Sequence, residues 1–344
     1  IFSLEGREAA SAPQVLMTFA LGDFLAGRVG PKTIAAEAAH LRIVRRESLN
    51  VDIPIVQLKR PKDRGLNLSA LLEGRLLRNA FEAAELSNAE VTFYDEVSGR
   101  SWTAPAMKVF VRRNEVGLQA LLDGEITMGD ESAAINVTAD YVEDDGVINV
   151  AADGDNFPVG DLLSTFYGDR AAIVDAPVSG DANIAFTPEG DVLSSKINAH
   201  LGEGLLHIGG VSQRISLIEW AAVFDPNANR FFIERFDFDL EGAKGSVSGE
   251  VSISFGDDIR QPESISFDLS SEEIVVSAPE QFPAPVPVQD ILLNGQYFVP
   301  ERRLAVRRMN ASFAELAVSG NVTLLRPRGL DGAPSPSPRG RTTA

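Results

Sequence analysis

Apolar and polar residues alternate along most of this chain, and residues 175–204 show the pattern most clearly. From Ala176 to Phe186 every even position is apolar or small, while the odd positions are mostly polar. Successive side chains of a strand point to opposite faces, so the pattern predicts a β-hairpin with one apolar and one polar face. Gly190, in the connecting Pro188–Asp191 segment, provides the positive φ that a short hairpin loop requires. Beyond this segment the apolar positions are Leu193, Ile197, Ala199 and Leu201.

The alternation returns several times further along the chain. It is strongest in 247–255 and 316–324, and it recurs in 232–240, where Phe232, Phe236 and Phe238 share one face in the predicted strand. Together with the turn signals between segments, it predicts roughly a dozen to fifteen strands in a mainly β, mostly antiparallel fold. Shorter alternating segments occupy 107–111, 116–122, 135–139, 147–152 and 291–299.

Helical periodicity is confined to three short segments. They are 68–77 (LSALLEGRLL), 159–167 (VGDLLSTFY) and 216–223 (SLIEWAAV), each two to three turns long. We therefore predict a mixed α/β segment over 1–90, a repetitive β domain over 91–325 and a disordered, basic Pro/Ser-rich tail over 326–344.

Three alternating segments share a local motif. Ser-Gly followed by Asp, Glu or Asn occurs in PVSGDANIAF, GSVSGEVSISF and LAVSGNVTLL. The central residues Gly180, Gly249 and Gly320 are separated by about 70 residues, a spacing typical of stacked multi-strand units. The alternative is that β proteins reuse a Ser-Gly-polar start for unrelated strands.

Charge and residue chemistry narrow the classes of function. The 49 acidic and 31 basic residues give a net charge of −18, which disfavours nucleic acid as a partner because phosphates are repelled. The absence of cysteine excludes disulfides and thiol catalysis. His40, His200 and His207 are not at metal-ligand spacing, and Phe157 replaces an oxygen ligand in the calcium-loop-like segment 153–157. We expect no catalytic residue, no metal and no cofactor.

The apolar face has two interpretations at this stage. It can form the closed core of a β-sandwich, with two sheets about 10 Å apart, in a structural or adhesive module. It can also line an open, curved sheet, since Ala and Gly interrupt the large side chains and the few short helices are too small to cover it. A carbohydrate-active enzyme is a third possibility, although two Trp and four Tyr provide few aromatic platforms.

Longer segments resemble a known family. VDAPVSGDANIAFTPEGDVLSSKINAHLGEGLLHI and AAVFDPNANRFFIERFDFDLEGAKGSVSGEVSI are similar to strand elements of AsmA-like proteins, the YhdP and TamB group. LNLSALLEGRLLRNAFEAAELSNAEVTFYDEVSGRSW, residues 66–102, resembles the helix and the following strands near the N-termini of these proteins.

The resemblance implies a long, open groove of curved antiparallel strands with a few short helices. It also implies a periplasmic protein tethered to the inner membrane of a Gram-negative bacterium, with phospholipids and envelope proteins as partners. In that family the groove conveys phospholipid acyl chains between the inner and outer membranes. The membrane anchor would lie upstream of Ile1. The residues that the resemblance assigns to the groove lining are Val178, Ala182, Ile184, Phe186, Leu193, Ile197, Phe236, Phe238, Val247, Val251, Ile253, Phe255, Val318, Val322 and Leu324.

Overall fold

The protein is almost entirely β-sheet. The computed structural model describes residues 10–22, 30–45, 51–52, 82–95, 99–129, 131–158, 160, 174–208, 211–255, 262–279, 282–301, 303–313 and 316–325, and 80% of these form strands. The first ten strands are β1 (Ala10–Ser11), β2 (Gln14–Thr18), β3 (Thr33–Glu37), β4 (His40–Arg45), β5 (Val51–Asp52), β6 (Ala83–Asp95), β7 (Ser101–Arg113), β8 (Gly117–Met128), β9 (Glu131–Val142) and β10 (Val147–Pro158).

The remaining strands continue the same pattern of long antiparallel neighbours. They are β11 (Val174–Asp175), β12 (Pro177–Phe186), β13 (Val192–Leu201), β14 (Gly204–Ile208), β15 (Val211–Asp225), β16 (Arg230–Leu240), β17 (Ala243–Phe255), β18 (Pro262–Val276), β19 (Val286–Phe298), β20 (Arg303–Phe313) and β21 (Leu316–Leu325). The prediction of a mainly β, mostly antiparallel sheet is confirmed.

All these strands belong to one sheet, which is not closed into a barrel. The main path runs β2–β3–β6–β7–β8–β9–β10–β12–β13–β15–β16–β17–β18–β19–β20–β21. Two of these strand pairs are parallel. Strand β3 pairs with the first half of β6, and β4 pairs with its second half. Strand β6 spans residue 90, so strands on both sides of the predicted domain boundary belong to the same sheet. In the described residues β2 and β21 each have a partner on one side only, which makes them edges.

The predicted hairpin is confirmed as β12 and β13. Val178 lies opposite Leu201 and Ala182 opposite Ile197. Gly190 has a φ of 98°, and its N–H donates to the Thr187 carbonyl at 2.9 Å. The turn that the sequence indicated therefore sets the register that brings the apolar residues of both strands to one face.

The prediction of a helix over 216–223 is wrong, because this segment is the middle of β15. A bulge at Ser216 places Ile215 opposite Leu240 and Ile218 opposite Phe238, on the same face. Within 216–223 the apolar residues Leu217, Ile218, Ala221 and Ala222 have a helix-like spacing, but Ile218 and Ala222 lie on one face of the strand and Leu217 and Ala221 on the other. The predicted helix 68–77 lies outside the described residues, and so does 159–167 apart from Gly160.

Bulges interrupt the ladder at defined residues. Asn88, Asn156 and Asp290 have positive φ angles of 51°, 59° and 51°, and each falls where the register shifts by one residue. Asn and Asp adopt this conformation more readily than other non-glycine residues. Because a bulge bends its strand and increases local twist, these positions help to curve the sheet.

The repeat has a structural counterpart. Gly180 lies on β12, Gly249 on β17 and Gly320 on β21, and along the sheet each glycine is four strands from the next. The spacing of about 70 residues in the sequence therefore corresponds to four strands of the sheet, although Gly180 is two residues out of register with Gly249.

Half of the buried hydrophobic residues are small. In the described residues fourteen hydrophobic side chains are buried, and seven of them are alanine. One cluster centres on Met107, among strands β3 to β9, and a second centres on Ile215, among β11 to β16. Each cluster joins neighbouring strands of the sheet, so burial here comes from adjacent strands rather than from a facing layer.

Candidate functional site

One face of the sheet carries a row of apolar residues that crosses sixteen strands. Directly paired residues of neighbouring strands lie on the same face, so the row can be followed from strand to strand. At about 4.8 Å per strand it is about 70 Å long. Its members, called the first row below, are Val15, Ala36, Leu86, Val109, Leu122, Val137, Ala152, Ala182, Ile197, Ala222, Ile233, Gly249, Leu269, Leu293, Met309 and Gly320.

A second row runs beside the first on the same face. It begins at Met17, passes through Ile184 and Ser195 and ends at Val322. Ser195 is its one polar member and is only 8% exposed. The other members are Ile34, Ala84, Val111, Ala120, Ala139, Val150, Phe224, Phe231, Val251, Phe267, Gly295 and Val306. The two rows make the face, called the apolar face below, continuous across the main path of the sheet.

Most of the predicted lining residues belong to this face. Ala182 and Ile197 are in the first row, and Ile184, Val251 and Val322 are in the second. The remaining ones align beside these rows by strand pairing: Val178 with Leu201, Phe186 with Ile148, Phe236 with Trp220 and Val247, Phe238 with Ile218, Ile253 with Ile265, and Val318 with Ala311. The backbone of Phe255 pairs with Pro262 and that of Leu324 with Leu304, and the structure does not describe the side chains of Phe255 and Leu324.

Two positions differ from the simple alternation. Leu193 is the unpaired residue of a bulge, and Val192 rather than Leu193 lies opposite Phe186. On β16 a bulge at Glu234 moves Phe232 to the polar face, where it pairs with Glu250. Phe231 takes the place on the apolar face that alternation predicts for Phe232. A bulge reverses the alternation beyond it, and because the residues on both sides of each shift are apolar (Val192 and Leu193, Phe231 and Phe232), the sequence does not show where the reversal occurs.

Sequence reasoning also missed much of the apolar face. In the first half of the sheet the rows include Leu86, Val109 and Val137, where the alternation is short or weak. Trp220, which pairs with Phe236, lies in the segment predicted to be helical. The alternation Ile218, Trp220, Ala222 and Phe224 would have identified this strand.

Most of the large side chains of the apolar face are accessible, although Ala36, Ala222 and Val306 are buried. Ile184, Phe236, Val251 and Ile253 are half-buried, although a facing layer of side chains would bury such large residues almost completely. Accessibility increases at the edges, where Met17 is 48% and Val318 is 50% exposed. The described residues therefore form an apolar surface that neighbouring strands shield only laterally.

The opposite face is polar and charged. Lys196 pairs with Glu234 at 3.4 Å, and Lys244 pairs with Asp239 at 2.8 Å. Arg235 reaches Glu219 at 3.0 Å. These groups are well exposed, so each ion pair contributes at most about 1 kcal/mol. Their main effect is to make the two faces of the sheet chemically distinct.

The described residues contain no group of three or more His, Asp or Glu side chains arranged to hold a metal ion. His200 is on β13 and His207 is on β14. Nor does any helix in the described part of the chain combine the length and hydrophobicity needed to cross a membrane.

Comparisons with known proteins do not identify a relative: no protein-family model, curated protein or solved structure matches this chain.

Proposed function

We propose that this chain is an AsmA-like protein whose apolar face binds phospholipid acyl chains and conveys them between the inner and outer membranes of a Gram-negative bacterium. In this proposal the protein is periplasmic and tethered to the inner membrane, and other envelope proteins are its partners. The observation that carries the proposal is the continuity of the first and second rows across sixteen strands on an accessible face.

The physical basis is the transfer of methylene groups from water to the apolar face. Each buried CH₂ group contributes about 0.8 kcal/mol. The hydrocarbon core of a bilayer is about 30 Å thick, so one acyl chain spans about 15 Å. A row of about 70 Å is several times longer than an acyl chain. A lipid could therefore move from strand to strand while its tail remains in contact with apolar side chains and its head group remains in water.

The alternative is a closed structural or adhesive module in which a second layer covers the apolar face. The half-buried state of Ile184 and Ile253 favours an open surface over that arrangement.

Site-specific photo-crosslinking tests the proposal. A photoreactive amino acid replaces Ile184 or Ile253 on the apolar face, and matched controls carry it at the adjacent Asn183 or Ser252 on the opposite face. Protein purified from native membranes should yield phospholipid adducts from the first pair and few from the second. Native mass spectrometry of the unmodified protein should show bound phospholipid. A lipid-free spectrum together with equal labelling from both faces would rule the proposal out.

The proposed location needs a separate experiment. A protease added to spheroplasts of the native bacterium should cleave the protein, and the same protease added to intact cells should leave it uncleaved. Release of the protein into the soluble fraction without detergent would contradict tethering to the membrane.

A further inference from the structure

Strand β21 is an edge of the sheet with no neighbour among the described residues on its outer side. Its apolar side chains are well exposed, with Leu316 at 66%, Val318 at 50% and Val322 at 42%. An edge strand presents unpaired backbone N–H and C=O groups that can form a ladder with another strand.

The sequence of β21 is symmetric about Gly320. Moving outwards from this glycine, Ser319 and Asn321 are small and polar, Val318 and Val322 are identical, and the next pair is small again. The outermost pair, Leu316 and Leu324, is identical as well. In an antiparallel pair, residues at equal distances from the centre lie opposite each other. A strand with this symmetry is complementary to a second copy of itself.

Strand β21 also lacks the features that normally protect an edge. Natural edge strands carry Lys, Pro or other charged residues that prevent pairing with another chain. The segment LAVSGNVTLL contains no charged residue and no proline, although the whole chain has a net charge of −18. Two acidic copies can therefore approach at this edge without opposing like charges directly.

The edge at β2 is a weaker candidate for the same contact. This strand has five residues, QVLMT, half the length of β21, and Val15, Leu16 and Met17 give it no symmetry about a centre.

We propose that β21 joins two copies of this chain into a symmetric dimer, paired antiparallel with Gly320 opposite Gly320. Such a contact is isologous, because the same residues meet from both sides and the assembly closes after two copies. The two-fold axis is perpendicular to the sheet, so the apolar faces of both copies lie on the same side and form one surface that crosses twice as many strands. The dimer does not depend on lipid binding, since backbone ladder bonds and the side chains of β21 form it.

Cysteine crosslinking tests the register directly. The chain has no cysteine, so a single introduced thiol can react only with its counterpart in another copy. A Cβ at position 320 meets nothing within 4 Å, so Gly320→Cys should fold normally. Directly opposite residues have Cα atoms about 4.5–5.5 Å apart, within the range for a disulfide. Mild oxidation should convert Gly320→Cys protein to a covalent dimer.

Cysteines at positions 318 and 322 provide the matched control for the register. In the proposed register Val318 faces Val322 of the other copy, and the two Val318 residues are about 13 Å apart. Val318→Cys protein alone should therefore remain uncrosslinked. A mixture of Val318→Cys and Val322→Cys protein should form disulfides between the two variants only. Efficient crosslinking of Val318→Cys protein by itself would overturn the register.

Charged substitutions on β21 test the same contact without covalent bonds. The double variant Ser319→Lys/Asn321→Lys places Lys opposite Lys twice, and dimerisation measured by sedimentation velocity should weaken about tenfold or more. Mixing it with Ser319→Glu/Asn321→Glu protein should restore association as a heterodimer. A wild-type protein that stays monomeric at every concentration would overturn the proposal, and so would a dimer that the Lys pair leaves unchanged. Either result would leave lipid adducts at Ile184 unaffected, so this test is distinct from that of the lipid-binding proposal.

Discussion

Asp181 and Asn198 face each other across β12 and β13, and Asn198 Nδ2 donates a hydrogen bond to Asp181 Oδ2 at 2.9 Å. The same Asp–Asn pairing recurs on the polar face in two other hairpins, at 3.2 Å between β8 and β9 and at 3.0 Å between β18 and β19. An amide opposite a carboxylate provides a hydrogen bond without a second negative charge. In a chain of net charge −18 this pairing limits repulsion along the polar face.

Asn198→Asp should destabilise the protein. Asp181 already faces Asp153 on its other side, so the substitution places three carboxylates in one row. We expect the free energy of unfolding to fall by about 0.5–1 kcal/mol, with a larger loss at low salt. Urea denaturation at two salt concentrations measures this. Ser194→Asp, on the same strand and face but opposite Ala185, is the control and should have little effect. Equal losses in both variants would contradict the explanation.

Ile253→Glu should leave the protein folded. An unpaired charge in a closed core costs several kcal/mol, whereas a half-buried position on an open face leaves the carboxylate in water. We expect a loss of less than about 2 kcal/mol in urea denaturation, together with a marked loss of bound phospholipid. Ser252→Glu on the opposite face should retain both stability and lipid. Global unfolding of the Ile253→Glu protein would indicate a covered face and favour the structural module.

Two glycines at equivalent repeat positions should respond differently to alanine. At Gly249 the φ angle is 143° and a Cβ would lie 2.1 Å from the Asp268 carbonyl oxygen, while Gly320 has open space around it. Gly249→Ala should therefore reduce the free energy of unfolding by more than about 1 kcal/mol. Gly320→Ala should stay within about 0.5 kcal/mol of wild type. Denaturant titration of both variants measures the difference, and equal stability would argue against the close approach of β17 and β18.

The bulge at Glu234 predicts opposite outcomes for two adjacent phenylalanines. Phe231 lies in the second row on the apolar face, and Phe232 lies on the polar face opposite Glu250. Phe231→Glu should therefore reduce the yield of phospholipid adducts from a photo-probe at Ile184, and Phe232→Glu should leave it near wild type. Loss of adducts in the Phe232 variant alone would mean that the ladder has the unbulged register.

The sequence predicted the regular parts of this fold well and its irregular parts poorly. The β12–β13 hairpin was predicted with its faces and turn, because alternation and Gly190 are both local signals. The registers at Leu193 and Glu234 were not predictable, since a bulge depends on the partner strand and leaves the alternating pattern intact up to the break. The helix predicted over 216–223 was wrong because both faces of β15 carry apolar residues there, with Ile218 and Ala222 on one face and Leu217 and Ala221 on the other.

The candidate site was partly predictable for the same reason. Ile184 and Val251 were identified because their strands alternate strictly, and the structure places both in the second row. The continuity of that row from Met17 to Val322 depends on fifteen registers acting together, and pairing across strands is not encoded in any single segment.

From β6 onwards the main path follows the order of the chain, apart from the short strands β11 and β14. Stability in such an array is approximately a sum of contributions from adjacent units. Folding is then expected to begin at an early hairpin. Further strands would be added one after another, in the order in which a ribosome or a secretion channel releases them. Because each strand pairs mainly with its neighbours along the chain, gain or loss of hairpins during evolution would change the number of strands in the sheet and leave the length of each strand unaltered.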